Sequence, residues 1–505
     1  MKKFILLFFL AITQFSLGYE LNKKYNLEFY HVNDTHGVFE KSNKTNAGGF
    51  GILSTMVKEA RARASQTKTI FFLTSGGDVN TGTPESDVLF AEPDFRSMGA
   101  IGFDAMVLGN HEFDHHWSHI NKQQKWAGFP FLAANIKNKT KKKFSVLPYV
   151  VKEVYGLKIA FLGLITDQTK LLTLPANTKG LEITSAVETA KYWVPILRKQ
   201  ADVVVVLTHL GWCDLGQCQE PNDVQLAMSV PGIDLILGGH SHTLMKQADV
   251  VSGTYIFQSY EKNQKVGVLQ AEFYNGKFAV NSSEVKDIIG AEDQVIVRMQ
   301  EPLKSLSQKK LKTVVAYSKI FLDGERESIR YKETELTNLI LMIFRKKTNS
   351  DIAILNAGGI RASLEPGDIT VADIHRVLPF PNTLCTVELS GEKLIKYMNS
   401  IVLFNTGEGD FPHFSGVNLK TNSENKIIDI KINGQTINLK KKYKIVVNNY
   451  IAEGGDGYPQ IKNETTFKDS GLIMKNVFHD YLKKKKIINS KDVSLINYYQ
   501  RHVAN

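Results

Sequence analysis

The sequence predicts a layered α/β protein of two domains: an N-terminal α/β/β/α domain, a helical connector and a C-terminal α/β domain. Three observations carry this. The chain has 505 residues, and at about 100–200 residues per domain that is two or three domains. From about residue 25 to 290, apolar β-branched runs alternate with helical patterns, as a layered α/β unit requires. From 291 to 317, "AEDQVIVRMQEPLKSLSQKKLKTVVAY" lacks glycine and has Pro302 as its only proline, so it reads as a helix joining two units.

The first eighteen residues stand apart. A basic "MKK" precedes the apolar "FILLFFLAITQF", and Ser16 and Gly18 occupy the −3 and −1 positions of a cleavage site. This is the pattern of a secretory signal. The run is short for a membrane span, which needs about 20 apolar residues. The alternative is an uncleaved anchor. An exported location, periplasmic or secreted, is therefore expected, with no stable membrane anchor. Net charge is +11, and loss of Lys2 and Lys3 with the leader leaves +9. The excess sits in lysine runs such as 137–143 and 483–486. They read as solvated surface, with long-range attraction of anionic substrates as the lesser reading. Nothing resembles a nucleic-acid-binding module. A monomer is expected. Of three cysteines, Cys213 and Cys218 are close enough to pair in an exported protein, and Cys385 reads as a buried strand residue.

In the first domain (19–290) the strands read as "NLEFYHV", "TIFFLT", "DAMVLG", "KIAFLGL", "DVVVVLT" and "DLILGG". Their near-continuous apolar character suits strands covered on both faces. Helical patterns lie between, as in 50–64 and 186–200. The second domain (318–505) has a helix in "TELTNLILMIFRKK", a strand and glycine turn in "DIAILNAGGIR" and hairpin-like alternation around 425–450.

Polar residues follow the first-domain strands at equivalent places. Asp34 and His36 come after the first, Asp78 after the second, and Asn110, His111 and Asp114 after the third; His209, and then His240 with His242, follow later ones. In open α/β sheets the carboxyl ends of strands converge on one crevice. Taken singly, each residue reads better as a turn or a hydrogen-bonded loop. Together they would leave many polar groups beside a core, at several kcal/mol unless something binds them. Carboxylate, amide and imidazole without thiolate suit zinc, manganese, cobalt or a similar ion. The supply suffices for two ions bridged by one aspartate, about 3.5–4 Å apart, an arrangement that activates water for in-line phosphoryl displacement.

"NDTHG", "SGGD", "GNHEFD", "THLG" and "GGHSH", in this order, resemble the calcineurin-like metallophosphoesterase signature. The longer stretch from "TSGGDVNTGTPESD" to "GNHEFD", with "RYKET", "NAGGIR", "VLPFPNT" and "NNYIAEGGDGYP", resembles the bacterial periplasmic 5′-nucleotidase/UDP-sugar hydrolase family over essentially the whole mature chain. The resemblance implies one metal on Asp34, His36, Asp78 and His242, and a second on Asp78, Asn110, His209 and His240. It implies His111 and Asp114 as a catalytic dyad, with water as the attacking group. It places Arg330, Asn356 and Arg361 at the nucleotide, Phe380 and Tyr450 around the base and Asp456 on the ribose hydroxyls. Read without the family, the two aromatics are core residues. Two departures stand out: His242 occupies a position where these relatives often carry Gln or Asn, and Tyr450 one where many carry Phe. Glu112 takes a structural hydrogen-bonding role, and His115 and His116 read as ordinary loop residues.

The expected function is dephosphorylation of nucleoside 5′-monophosphates by two divalent metal ions, with UDP-sugars and nucleoside di- and triphosphates as further substrates. The resemblance also implies a hinge at the linker helix that brings bound nucleotide to the metals. The alternatives are a 2′,3′-cyclic phosphodiesterase/3′-nucleotidase of the same fold and an inactive nucleotide-binding module.

Overall fold

The structure is a computed structural model describing residues 19–42, 44–170, 172–213, 222–404, 406–422 and 426–493, and the backbone of 499–500. The signal sequence expected over 1–18, and Cys218, lie outside the described residues. Cys213 is disulfide-bonded, and Cys385 is a buried free thiol. No helix among the described residues is long and apolar enough to cross a membrane.

Two six-stranded sheets face each other in the first domain. One runs Lys277–Asp287, Lys265–Tyr274, Tyr25–Val32, Ile70–Ser75, Ala105–Val107, Phe131–Leu132. The other runs Asp249–Val251, Thr254–Phe257, Leu235–Leu237, Val203–His209, Leu157–Ile165, Tyr149–Val154. Phe29, Phe72 and Val107 from the first meet Phe161, Val205 and Leu237 from the second in one core cluster. Helices cover the outer faces. Phe50–Thr67 and Glu92–Ile101 pack on the first sheet; Ala186–Leu197 and Asp223–Ser229 pack on the second. The order is α/β/β/α. It explains the continuous apolar runs, because both faces of each central strand are buried.

Register fixes where the strands end. Tyr25–Val32 pairs in parallel with Ile70–Ser75, placing Val32 beside Ser75. Ile165 sits beside His209, and Leu207 beside Leu237. The parallel strands therefore finish along one edge, and the polar loops emerge there together.

The helix Gln294–Leu311 is capped at its start by Asp293, whose side chain accepts from the Val295 N–H. It lies on the first domain: Gln300 Nε2 donates to the Phe39 carbonyl, and Lys304 pairs with Glu40 at 2.6 Å. The helix ends before 317. β-Branched Thr313, Val314 and Val315 turn the chain into the strand Val314–Ser318, which suits their stiff side chains. That strand joins Gly367–Thr370 and Ile487–Ile488 in a small sheet. A five-stranded sheet of Pro412–Ser415, Ile352–Asn356, Lys442–Asn448, Thr383–Ser390 and Lys468–Ile473 forms the centre of the second domain. Helices Glu335–Thr348 and Met474–Lys485 pack in one core cluster against it, and Gly391–Ile401 in another.

Candidate active site and metal centre

The five strand-end loops deliver their side chains to one buried centre. Asp34, His36 and His242 bring ligand atoms within 4.8 Å of one another, as do Asp78, His209 and His240, and as do His36, Asp78 and His111. Asp78 thus belongs to both halves of the cluster, where a bridging carboxylate would stand. Its Oδ1 accepts from the His111 backbone N–H at 2.9 Å, and its Oδ2 lies 3.1 Å from His209 Nε2.

Backbone strain marks the same residues. Asp34 (φ 51), His36 (φ 46), Asp78 (φ 51), His240 (φ 83) and His242 (φ 54) all occupy the left-handed region. Non-glycine residues there cost on the order of 1–3 kcal/mol each and persist where the surroundings over-determine them, typically at functional sites. Gly109 allows the loops their close approach: a Cβ there would run into the carboxylate and backbone of Asp78.

The rings are aimed by their far nitrogens. His36 Nδ1 donates to the Thr81 carbonyl at 2.9 Å, His209 Nδ1 to the Gly76 carbonyl at 2.6 Å, and His242 Nδ1 to Glu261 Oε2 at 2.9 Å. In each case Nε2 is turned to the centre, and His36 Nε2 lies 3.1 Å from His242 Nε2. Such partners fix the orientation of metal-binding imidazoles. Asn33 Nδ2 donates to Asp34 Oδ2 at 2.6 Å, and the His240 backbone N–H donates to the same oxygen at 2.9 Å.

These residues fit divalent cations. Asn110 Oδ1 is buried and has no hydrogen-bond partner, a costly state for a polar atom that a cation removes. The electrostatics agree. Burial disfavours charge on His209, yet Asp78 outweighs it and raises its pKa to about 9. Burial likewise opposes His242, while Asp34 and Glu261 raise it to about 10. The carboxylates draw positive charge onto the rings, and a cation on the lone pairs meets the same demand.

His111 and Asp114 sit at the border of this cluster. His111 Nδ1 is 2.7 Å from Asp114 Oδ2, which also accepts from Thr81 Oγ1 at 2.5 Å. Burial disfavours the imidazolium, but Asp114 and Asp78 prevail and raise the His111 pKa to about 10. The two carboxylates thus favour the charged form of the ring, as suits a proton donor. Glu112 is fully buried, and its two oxygens accept four backbone N–H groups, those of Asp78, Val79, Asn80 and Gly109. His116 stays on the surface, its Nδ1 2.8 Å from Ser118 Oγ. His115 lines a cavity between the domains.

In the second domain, Arg330, Asn356, Arg361, Phe380, Tyr450 and Asp456 line a single cavity of about 340 Å³, within the range of about 300–1,000 Å³ usual for small-molecule sites. Phe380 is 42% exposed and Tyr450 45% exposed, which removes the core-packing reading of both. Asp456 is held from two sides: Asn356 Nδ2 donates to Oδ2 at 2.8 Å, and the Tyr450 hydroxyl donates to Oδ1 at 2.7 Å. Asn382 lines the same cavity and was missed from sequence, as were Asn33, Thr81 and Glu261. The "PFPN" run holds Asn382 two residues from Phe380. Glu261 gives no such sign, because it meets His242 only through the fold.

Residues 27–244 match the calcineurin-like phosphoesterase model, and residues 314–463 match the 5′-nucleotidase C-terminal domain model. A 5′-nucleotidase of Vibrio cholerae is 33% identical, the alignment covering 93% of this chain and 92% of that protein. The chain belongs to the 5′-nucleotidase family. Protein UshA of Escherichia coli is 31% identical over 94% of both chains. Among solved structures, the 5′-nucleotidase precursor of Thermus thermophilus aligns with TM-score 0.60 and 26% identity, over 95% of this chain and all of that one. The NAD nucleotidase of Haemophilus influenzae aligns with TM-score 0.72 at 21% identity over the same shares, a likeness of fold. As a family member, the protein is a metal-dependent phosphoesterase with the nucleotidase two-domain architecture.

Proposed function

We propose that the protein is an exported two-metal hydrolase that releases phosphate from nucleoside 5′-monophosphates, with UDP-sugars and nucleoside di- and triphosphates within its range. The observation that carries this reading is the placing of Asp78 between His209 and His240 on one side and His36, itself grouped with Asp34 and His242, on the other, with His111 and its partner Asp114 at the same point. Asp34, His36, Asp78 and His242 would hold one divalent cation, and Asp78, Asn110, His209 and His240 the other. Cations so held lower the pKa of water, orient it and neutralise charge at a phosphoryl group. His111 presents a proton from Nε2 to the phosphoryl oxygen or leaving group, while Asp114 fixes the ring through Nδ1. In the second domain the base stacks between Phe380 and Tyr450, and the free lone pairs of Asp456 accept the ribose hydroxyls. Arg330 and Arg361 suit anionic groups.

Metal-stripped protein should release phosphate from AMP only after Zn, Mn, Co or a similar ion is restored, two per chain by elemental analysis. Assays with each ion on AMP, UDP-glucose and 2′,3′-cyclic AMP test the reading. Release from the cyclic substrate alone would favour the phosphodiesterase alternative, and release from none would sink the enzyme reading. Stacking is worth about 1–3 kcal/mol per base. Phe380→Ala and Tyr450→Ala should therefore each raise KM by about 5- to 100-fold with kcat little changed. A fall in kcat at constant KM would remove them from the binding site.

A further inference from the structure

Three of the ligand rings are aimed by a partner on the far nitrogen, and one partner differs in kind. His36 and His209 donate to the backbone carbonyls of Thr81 and Gly76, whereas His242 Nδ1 donates to the carboxylate of Glu261 at 2.9 Å. A carboxylate only accepts, so the proton of the neutral ring stays on Nδ1 and the lone pair of Nε2 faces the centre. There Nε2 lies 3.3 Å from Asp34 Oδ1 and 3.1 Å from His36 Nε2. His242 also depends most on such a partner. Its side chain is 37% exposed, while that of His209 is fully buried, so less packing holds it.

Glu261 is not a chance neighbour. It sits in the loop after Thr254–Phe257, where Tyr260 (φ 91), Lys262 (φ 56) and Asn263 (φ 50) all occupy the left-handed region. Strain of this kind persists only where several contacts hold it, and it clusters at functional sites. The contacts run to the loop that carries Asp34 and His36. Asn33 Nδ2 donates to the Tyr260 carbonyl at 2.6 Å, and Asn33 Oδ1 accepts from the Ser259 N–H at 2.8 Å. The Lys262 N–H donates to the Asp34 carbonyl at 2.7 Å, and Asn263 Nδ2 donates to the Val38 carbonyl at 3.0 Å. Glu261 is therefore set in fixed register with two of the ligands and faces a third. Its other oxygen is 2.9 Å from the Lys262 ammonium. All of these residues belong to the first domain, so the arrangement does not depend on where the second domain sits.

We propose that Glu261 is a positioning residue that sets the affinity and the metal preference of the site made by Asp34, His36, Asp78 and His242. It fixes the tautomer and the angle at which His242 offers Nε2. It thereby favours zinc-like cations, which suit imidazole, over manganese and magnesium, which suit oxygen. This rests on the reading of the cluster as a two-cation centre.

Metal binding by the full chain, rather than turnover, tests it. Metal-stripped protein is titrated with zinc or manganese against a competing chelator, and ions per chain are counted by elemental analysis. Glu261→Ala should weaken one of the two zinc ions by about 10- to 100-fold, the usual effect of losing such a partner, and leave the other within about threefold. Manganese at the same site should weaken less, so the zinc-to-manganese ratio falls. Glu261→Gln keeps an acceptor for the Nδ1 proton and should recover most of the zinc affinity. In a His242→Gln background Glu261→Ala should cost almost nothing, because groups that act through one another are not additive. The melting temperature of the metal-free chain reports whether each variant is folded. If Glu261→Ala is not, Glu261→Met fills the space without an acceptor and replaces it. Wild-type zinc affinity in the folded variant, or equal weakening of both zinc ions, would overturn the proposal. So would equal weakening of zinc and manganese, equal losses in the two backgrounds, or a Glu261→Gln protein no better than Glu261→Ala. A wild-type chain that takes up no divalent cation would instead sink the metal-centre reading and the proposal with it.

Discussion

His111→Ala should lower kcat on nucleoside monophosphates by about 10²- to 10⁴-fold, the contribution of a positioned proton donor, while both cations remain bound. The separation follows from the geometry. His111 borders the ligand cluster, but its Nδ1 is committed to Asp114 and its pKa is raised to about 10, largely against burial, by Asp114 and Asp78. His209 and His240, by contrast, group with Asp78 on the other side of the centre. His209→Ala should therefore lose metal as well as rate. Elemental analysis and stopped-time phosphate release on the two variants decide the matter. Wild-type turnover in His111→Ala, or loss of metal equal to that of His209→Ala, would remove His111 from the catalytic role. KM should change little, since an interaction made mainly in the transition state appears in kcat.

The site was largely legible because its parts sit at strand ends. Each of "NDTHG", "GGD", "GNHEFD", "THLG" and "GGHSH" follows an apolar run, and parallel register within each sheet, with the two sheets packed face to face, brings them together. The α/β/β/α layering was legible for a related reason, since continuous apolar strands must be covered on both faces. The supporting residues were less visible. Glu261 meets His242, and Asn33 meets Asp34, through contacts that no local pattern encodes. Thr81 is one residue in a turn until its hydroxyl is seen on Asp114. The five left-handed residues at the centre are likewise hard to see in sequence, because Asp and His adopt that conformation more often than most side chains but still only rarely. The connector's end was misplaced because no glycine or further proline marks a stop before 317, whereas the β-branched run at 313–315 leads into a strand that pairs with Gly367–Thr370.

The stretch richest in ligand-type residues also contains its most demanding structural group. Glu112 should tolerate neither alanine nor glutamine. Oε1 accepts from Val79 and Asn80, and Oε2 accepts from Asp78 and Gly109. The carboxylate thus ties the loop carrying the shared ligand to the loop carrying Asn110 and His111. Alanine orphans four buried N–H groups at roughly 1–3 kcal/mol each, against a total stability of about 5–15 kcal/mol for a typical domain. Glutamine is nearly isosteric but has one acceptor oxygen; its NH₂ would face two N–H donors, leaving two groups unsatisfied and two like dipoles opposed. Burial and the charge of Asp78 push the Glu112 carboxyl up to about 7, with the Gly109 and Asn80 N–H groups pulling it down. Cations held on Asp78 would ease that repulsion, so metal binding and the charged form of Glu112 would support each other. Both variants should show a melting temperature lower by several degrees and reduced metal content, with Glu112→Gln close to Glu112→Ala. A Glu112→Gln protein with wild-type melting temperature and a full metal complement would mean that a single acceptor suffices, and the four-bond knot would lose its role in holding the centre.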